Sequence, residues 1–232
     1  IALYARQRFF IPPTPEDLSI ELDSIKQHIS NCLLDVSDDP VKTIGLQGGY
    51  LATPPGTYRL YNDSQISYLC YDIPDQLPCY NRLLLVRDME KQLEEAIKFK
   101  LQGCLDVKSF GRFRNFDVIL TKDPKLDIEI RTNNILANLD YPVILKSKKG
   151  DVQVSSDTYN VVLDYPLGEL YDVTQEILNV ETQLGIFDAL PYMIFKRGKY
   201  KIYTLKPYPD KIYIVKRDDH PYVFQFAVQG EP

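Results

Sequence analysis

The 232-residue chain carries 27 Lys and Arg against 32 Asp and Glu, and both signs are dispersed along it. That balance speaks against nucleic acid as a partner, because neutralising phosphates needs a basic face. An apolar fraction of 44% fits an ordinary globular protein with a real core, and no run approaches the roughly 18 apolar residues that span a bilayer.

Residues 1–10 (Ile-Ala-Leu-Tyr-Ala-Arg-Gln-Arg-Phe-Phe) mix apolar and aromatic residues with two arginines. The pattern suits the exit side of a membrane helix and equally an arm that docks on the domain or on a neighbour. A start at Ile1 instead of Met points to a removed preceding segment. Residues 11–17 form a stiff proline-rich spacer ending in a helix-start signal. Over 18–46, Leu18, Ile25, Ile29, Leu33 and Val36 fall near helical spacing. Asp38-Asp39-Pro40 is expected to kink or break this helix, since Pro40 lacks a donor, and Gly48-Gly49 to stop it.

Residues 57–61 and 65–71 read as a hairpin about Asn62-Asp63-Ser64, ended by Pro74 and Pro78. A second helix is expected at about 82–104, with Val86, Met89, Leu93, Ile97 and Leu101 on one face. From 114 onward the character is β: Ile128 and Ile130 alternate, then Ala137 to Leu145, and after a turn at 149–151 a strand returns over 152–164. One helix interrupts at 167–184, carrying Leu167, Leu170, Val173, Ile177, Val180 and Leu184. Two hairpins close the chain, 191–196 with 200–205 and 211–216 with 222–228.

Hairpin-length links imply antiparallel pairing, and the class is α+β: an antiparallel β-sheet with packed helices and an N-terminal helical and hairpin part. The organisation reads as an arm and spacer over 1–17, a helix–hairpin–helix region over 18–107, and a sheet region over 108–232. The last two are able to form one domain. One continuous sheet is expected over 114–228, covered by the 167–184 helix through Leu170, Val173, Ile177 and Leu184.

The four cysteines leave three states open. Cys70 ends a strand and Cys79 follows a proline-bounded loop, while Cys32 and Cys104 lie late in two amphipathic helices, so Cys32–Cys104 and Cys70–Cys79 disulfides are the first reading. The long bridge would constrain the unfolded chain by roughly 4 kcal/mol in the entropic model. Reduced core thiols are the second, and a metal site is the third, although the spacing fits no zinc pattern. Pairing would imply an oxidising compartment or a hyperthermophilic cytosol. Asn62-Asp63-Ser64 is also a glycosylation sequon, consistent with the outside of a cell.

Several segments in order carry a resemblance: Asn31-Cys32-Leu33, Ile44-Gly45-Leu46-Gln47-Gly48-Gly49-Tyr50, Gly103-Cys104-Leu105, Leu139-Asp140-Tyr141-Pro142-Val143, Pro166-Leu167-Gly168-Glu169-Leu170-Tyr171, and Pro221-Tyr222-Val223-Phe224-Gln225-Phe226-Ala227. Over roughly residues 20–228 the chain resembles a family of archaeal surface proteins of uncharacterised activity, especially from small-genome symbiotic lineages. The resemblance implies one N-terminal membrane helix, preceding Ile1 and absent from this chain, and an extracytoplasmic domain; it brings no catalytic residues. The chain departs from the pattern at Asp38-Asp39-Pro40, where the family helix is uninterrupted.

No catalytic, cofactor or metal residue stands out. His28, among polar neighbours, reads as a surface residue, and Lys196, Arg197, Lys199 and Lys201 as a solvated hairpin tip. A His220–Asp219 dyad joins adjacent residues, which seldom face each other, and Glu94-Glu95 is ordinary helix surface. Tyr200, Tyr203, Tyr208 and Tyr213 are the candidate contact surface, set against the blander reading that half of them face the core. The expected function is a non-enzymatic ectodomain for binding or assembly at the cell surface, engaging a protein or cell-surface partner or itself. A structural subunit of a filament or layer comes second and a hydrolase with converging carboxylates third.

Overall fold

The computed structural model describes residues 14–73, 76–111, 116–148 and 152–230. Residues 1–13 of the arm and spacer expected over 1–17, and the turn at 149–151, lie outside them.

The first helix, α1 (Pro15–Leu46), opens with a reciprocal cap: Asp17 N–H donates to Thr14 Oγ1 (3.2 Å) and Thr14 N–H donates to Asp17 Oδ2 (2.9 Å). It runs unbroken through Pro40, contrary to the expected break. Ser37, Pro40, Val41, Ile44 and Gly45 are all buried on one face, and that burial outweighs the loss of one helical hydrogen bond. The expected hairpin is β1 (Tyr58–Tyr61) and β2 (Ser64–Ile73). Asn62 and Asp63 both hold positive φ, the backbone of a two-residue turn whose twist matches the strands. β2 stops at Ile73, and Pro74 lies outside the described residues; Pro78 does not end the meander, because β3 (Gln76–Asn81) runs through it and, among the described residues, pairs only with β2, as an edge strand that tolerates proline.

Next come α2 (Val86–Leu101), which buries Met89, Leu93, Ile97 and Leu101, and a short 3-10 turn at Val107–Gly111. The strands β4 (Phe116–Leu120), β5 (Lys125–Ile130), β6 (Ile135–Ser147) and β7 (Gln153–Leu163) form one antiparallel sheet, in which β6 pairs with all three others. α3 (Leu167–Leu184) and α4 (Ala189–Phe195) follow, then β8 (Tyr200–Leu205), β9 (Lys211–Arg217) and β10 (Val223–Val228).

The last three strands do not extend the β4–β7 sheet, which corrects the expectation of one sheet over 114–228. They complete the sheet begun by β1–β3, in the order β1-β2-β10-β9-β8 with β3 also on β2. The joint is the parallel pair β10–β2, with Ala227 opposite Tyr68 and Val228 opposite Cys70; every other pair is antiparallel. α3 packs on this second sheet, against β3, β10, β9 and β2, and α1 lies against β7, α2 and β10. Leu170, Val173 and Ile177 are buried as expected, whereas Leu184 at the end of α3 is exposed.

The segment 191–195 is helix and not strand, and Lys196 caps its end. Asp188 caps α4 by accepting from Leu190 N–H (3.1 Å), and Pro191 sits in the first turn, where helical N–H groups have no partner. A single apolar cluster runs from Leu18 to Val228 and draws on α1, α2, α3 and both sheets. No helix among the described residues is long and apolar enough to cross a membrane.

Candidate contact surface

The cysteines are paired as first read. Cys32–Cys104 ties α1 to the turn after α2 (Cα separation 6.0 Å), and Cys70–Cys79 ties β2 to β3 (5.4 Å). No free cysteine is left, and the described residues hold no His, Cys, Asp and Glu group able to ligate a metal. Two disulfides suggest an extracytoplasmic, oxidising location. Asn62 is exposed at the tip of the β1–β2 turn.

The four singled-out tyrosines divide by face. Tyr200 and Tyr213 point into the core and anchor α3. Tyr200 donates to Glu169 (2.7 Å), which Lys199 and Arg217 also hold, and burial together with Glu169 pushes the Tyr200 phenol up to about 12. Burial pushes the Glu169 carboxyl up, but the hydrogen bonds from Lys199 and Tyr200 outweigh it and leave the group below its usual value. At the other end of α3, the wholly buried Glu181 takes the Tyr213 hydroxyl, Lys211 Nζ (2.6 Å) and Phe187 N–H (3.0 Å). Burial, then Glu181, raises the Tyr213 phenol far above its ordinary range. Only Tyr203 and Tyr208 face solvent, the latter 79% exposed.

The solvent-facing apolar surface centres instead on α4, whose sequence Ala-Leu-Pro-Tyr-Met-Ile-Phe is apolar on every side. At 100° per residue, Tyr192 and Met193 turn inward, where Phe187 meets Tyr192 edge-on (5.4 Å) and the backbone N–H of Ile202 points at Met193 Sδ (3.3 Å). Leu190, Pro191, Ile194 and Phe195 turn outward, and no residue of the helix is fully buried. Leu184 and Ile186, just before α4 in the chain, are exposed as well, and Ile186, Phe187, Thr204, Tyr208 and Pro209 help line a cavity of about 410 Å³. Of the basic residues nearby, Lys196 is held by Glu176 (3.0 Å), Lys199 by Glu169 and Lys201 by Asp218 (3.4 Å). The expected solvated tip is therefore largely exposed but ion-paired at its three lysines, with Arg197 exposed too.

A larger cleft, about 910 Å³, opens between the outer stripe of α1, the end of β7 and the β9–β10 turn, lined by Leu34, Asp38, Lys42, Val162, Tyr165 and His220. Asp38 accepts from Lys42 Nζ (2.6 Å) and from the Tyr165 hydroxyl, and these bonds hold its carboxyl below the ordinary value. Burial, then Asp38, keeps Tyr165 protonated far above neutrality. His220 Nδ1 accepts from Tyr222 N–H (3.0 Å), so the neutral ring carries its proton on Nε2, which faces Asp164 (4.0 Å). Asp219 turns to Arg217 instead (2.5 Å), and the His220–Asp219 dyad does not form. These groups can donate and accept hydrogen bonds to a bound molecule; neither Asp38 nor Tyr165 is poised to exchange a proton near neutral pH. His28 is half-buried and not free in solvent as expected: its Nε2 meets Cys104 O (3.1 Å) and its ring meets Phe110 at a tilt (5.1 Å).

No protein-family model, curated protein or solved structure matches the chain.

Proposed function

We propose that the chain is a non-enzymatic ectodomain, tethered to a cell membrane through a segment preceding α1, that works by holding a protein partner against the outward face of α4. The observation that carries this is the helix itself. A helix apolar all round belongs in an interior, yet among the described residues only one side of α4 is covered. Leu184, Ile186, Leu190, Ile194 and Phe195 are each 62–79% exposed, and their exposed areas sum to on the order of 700 Å², an unusual amount of large apolar surface for so short a stretch of a soluble monomer. The disulfides support the extracytoplasmic setting, and the resemblance to archaeal surface proteins supports the tether.

A photo-crosslinking residue placed at Ile194 in the protein on its own cells tests the reading. The expected result is a discrete cross-linked adduct from position 194 and none from Asn160, an exposed position on β7. No adduct from 194, or equal yields from both positions, overturns it.

A further inference from the structure

We propose that the partner of the α4 face is a second copy of this chain, with the two α4 helices packed antiparallel about a two-fold axis. The inference rests on the contact reading above and names its occupant.

Two observations select a second copy. The first is charge placement at the ends of the apolar stripe. Asp188 caps the N-terminal end of α4 and is exposed, while Arg197 follows its C-terminal end and is exposed too. The lysines around Arg197 already hold Glu176, Glu169 and Asp218, so the face offers one acidic end, one basic end and an apolar centre. Antiparallel helices about a two-fold axis set Asp188 of each copy beside Arg197 of the other, twice, with Leu190 and Ile194 meeting at the middle. Seven helical residues span only about 10 Å, so both end contacts close while the centres touch. An anionic lipid surface would meet the same basic end but would be repelled at Asp188.

The second observation is size. On the order of 700 Å² of apolar surface per copy is close to the roughly 800 Å² per partner that a standard interface buries. Tyr208, which lines the same cavity as Ile186, is also exposed.

Sedimentation velocity on the full 232-residue chain over a concentration series reads the association directly. The expected result is a reversible monomer–dimer equilibrium, with the dimer predominating by about 100 µM. Ile194→Arg raises the dissociation constant more than about tenfold with unchanged circular dichroism. Arg197→Glu sets Glu against Asp188 of the other copy and gives the diagnostic sign: added salt weakens the wild-type dimer but strengthens this variant, because screening removes an attraction in one and a repulsion in the other. A chain that stays monomeric at about 100 µM, a dimer indifferent to Ile194→Arg, or the same salt response in both proteins overturns the inference. An adduct at position 194 with a different protein, from a chain that is monomeric in solution, overturns the second copy and leaves the contact reading standing. No adduct at all overturns both.

Discussion

Two buried glutamates on α3 do what apolar packing alone does not: they fix the helix in register on the β8–β9 hairpin. Glu169 lies near the N-terminal end with Tyr200, Lys199 and Arg217, and Glu181 near the C-terminal end with Tyr213 and Lys211. Neither was legible as such in the sequence, where the stripe of Leu170, Val173 and Ile177 accounts for the helix and singles out no glutamate. The missing signal is that Tyr200 and Tyr213 face inward, which requires an acceptor in the core. The pH behaviour follows from the depressed Glu169 carboxyl. Its stabilisation is fully present above its ordinary value of 4.5 and is lost as pH falls through its lowered folded value. Glu169→Gln is expected to cost about 2 kcal/mol at pH 7, less than a fully buried pair because Lys199 is half exposed. It should also flatten the acid limb of stability. Urea midpoints at pH 7 and about pH 3.5 check this: an equal loss at both values would mean that Glu169 is protonated or unpaired in the native state.

At the scale of elements, what the sequence reveals depends on whether an element announces itself by period. α2 and α3 do, since each has one apolar stripe and one wet face. α4 does not, because a seven-residue segment apolar on every side has neither helical nor strand period, and the Asp188 cap before Ala-Leu-Pro was its only signal. The break expected at Pro40 is absent for the opposite reason: a strong local preference was overridden by burial between α1 and the rest of the core. The close approach of α1 to the β9–β10 turn gives a prediction whose sign is counterintuitive. Gly45 lies inside α1, where Gly→Ala ordinarily stabilises by about 1 kcal/mol. Here an added Cβ would sit 2.5 Å from both Tyr222 Oη and Val223 O, and Tyr222 is itself fixed by donating to Val41 O (2.8 Å). Gly45→Ala is therefore expected to destabilise by a net 1–3 kcal/mol or about that, read from chemical denaturation under oxidising conditions. A stabilised variant would show that α1 and the β9–β10 turn stand further apart.

For the whole molecule, the decisive fact is the parallel pair between β2 and β10, which joins residue 68 to residue 227 and which no local hairpin signal could disclose. Hairpin reasoning sees neighbours along the chain, so it extended the β4–β7 sheet to the end and placed the N-terminal hairpin apart. The actual topology threads α1, β1–β3 and α2 first, the β4–β7 sheet second, and returns through β8–β10 to close the first sheet. Phe226 sits at this closure, wholly buried on β10 and stacked on Tyr213 (5.2 Å), within the cluster that also holds Leu18, Leu93, Val143 and Ile177. Its truncation should then be felt everywhere. Phe226→Ala is expected to cost about 3–5 kcal/mol and to lower the unfolding midpoint by the same amount for amides of β6 as for amides of β2, followed by hydrogen exchange across a denaturant series. Equal shifts mean that one cooperative unit spans both sheets. If β2 and β10 lost protection while β6 kept its wild-type midpoint, the two sheets would be separate cooperative units, and the shared core would be a contact between them instead of a single source of stability.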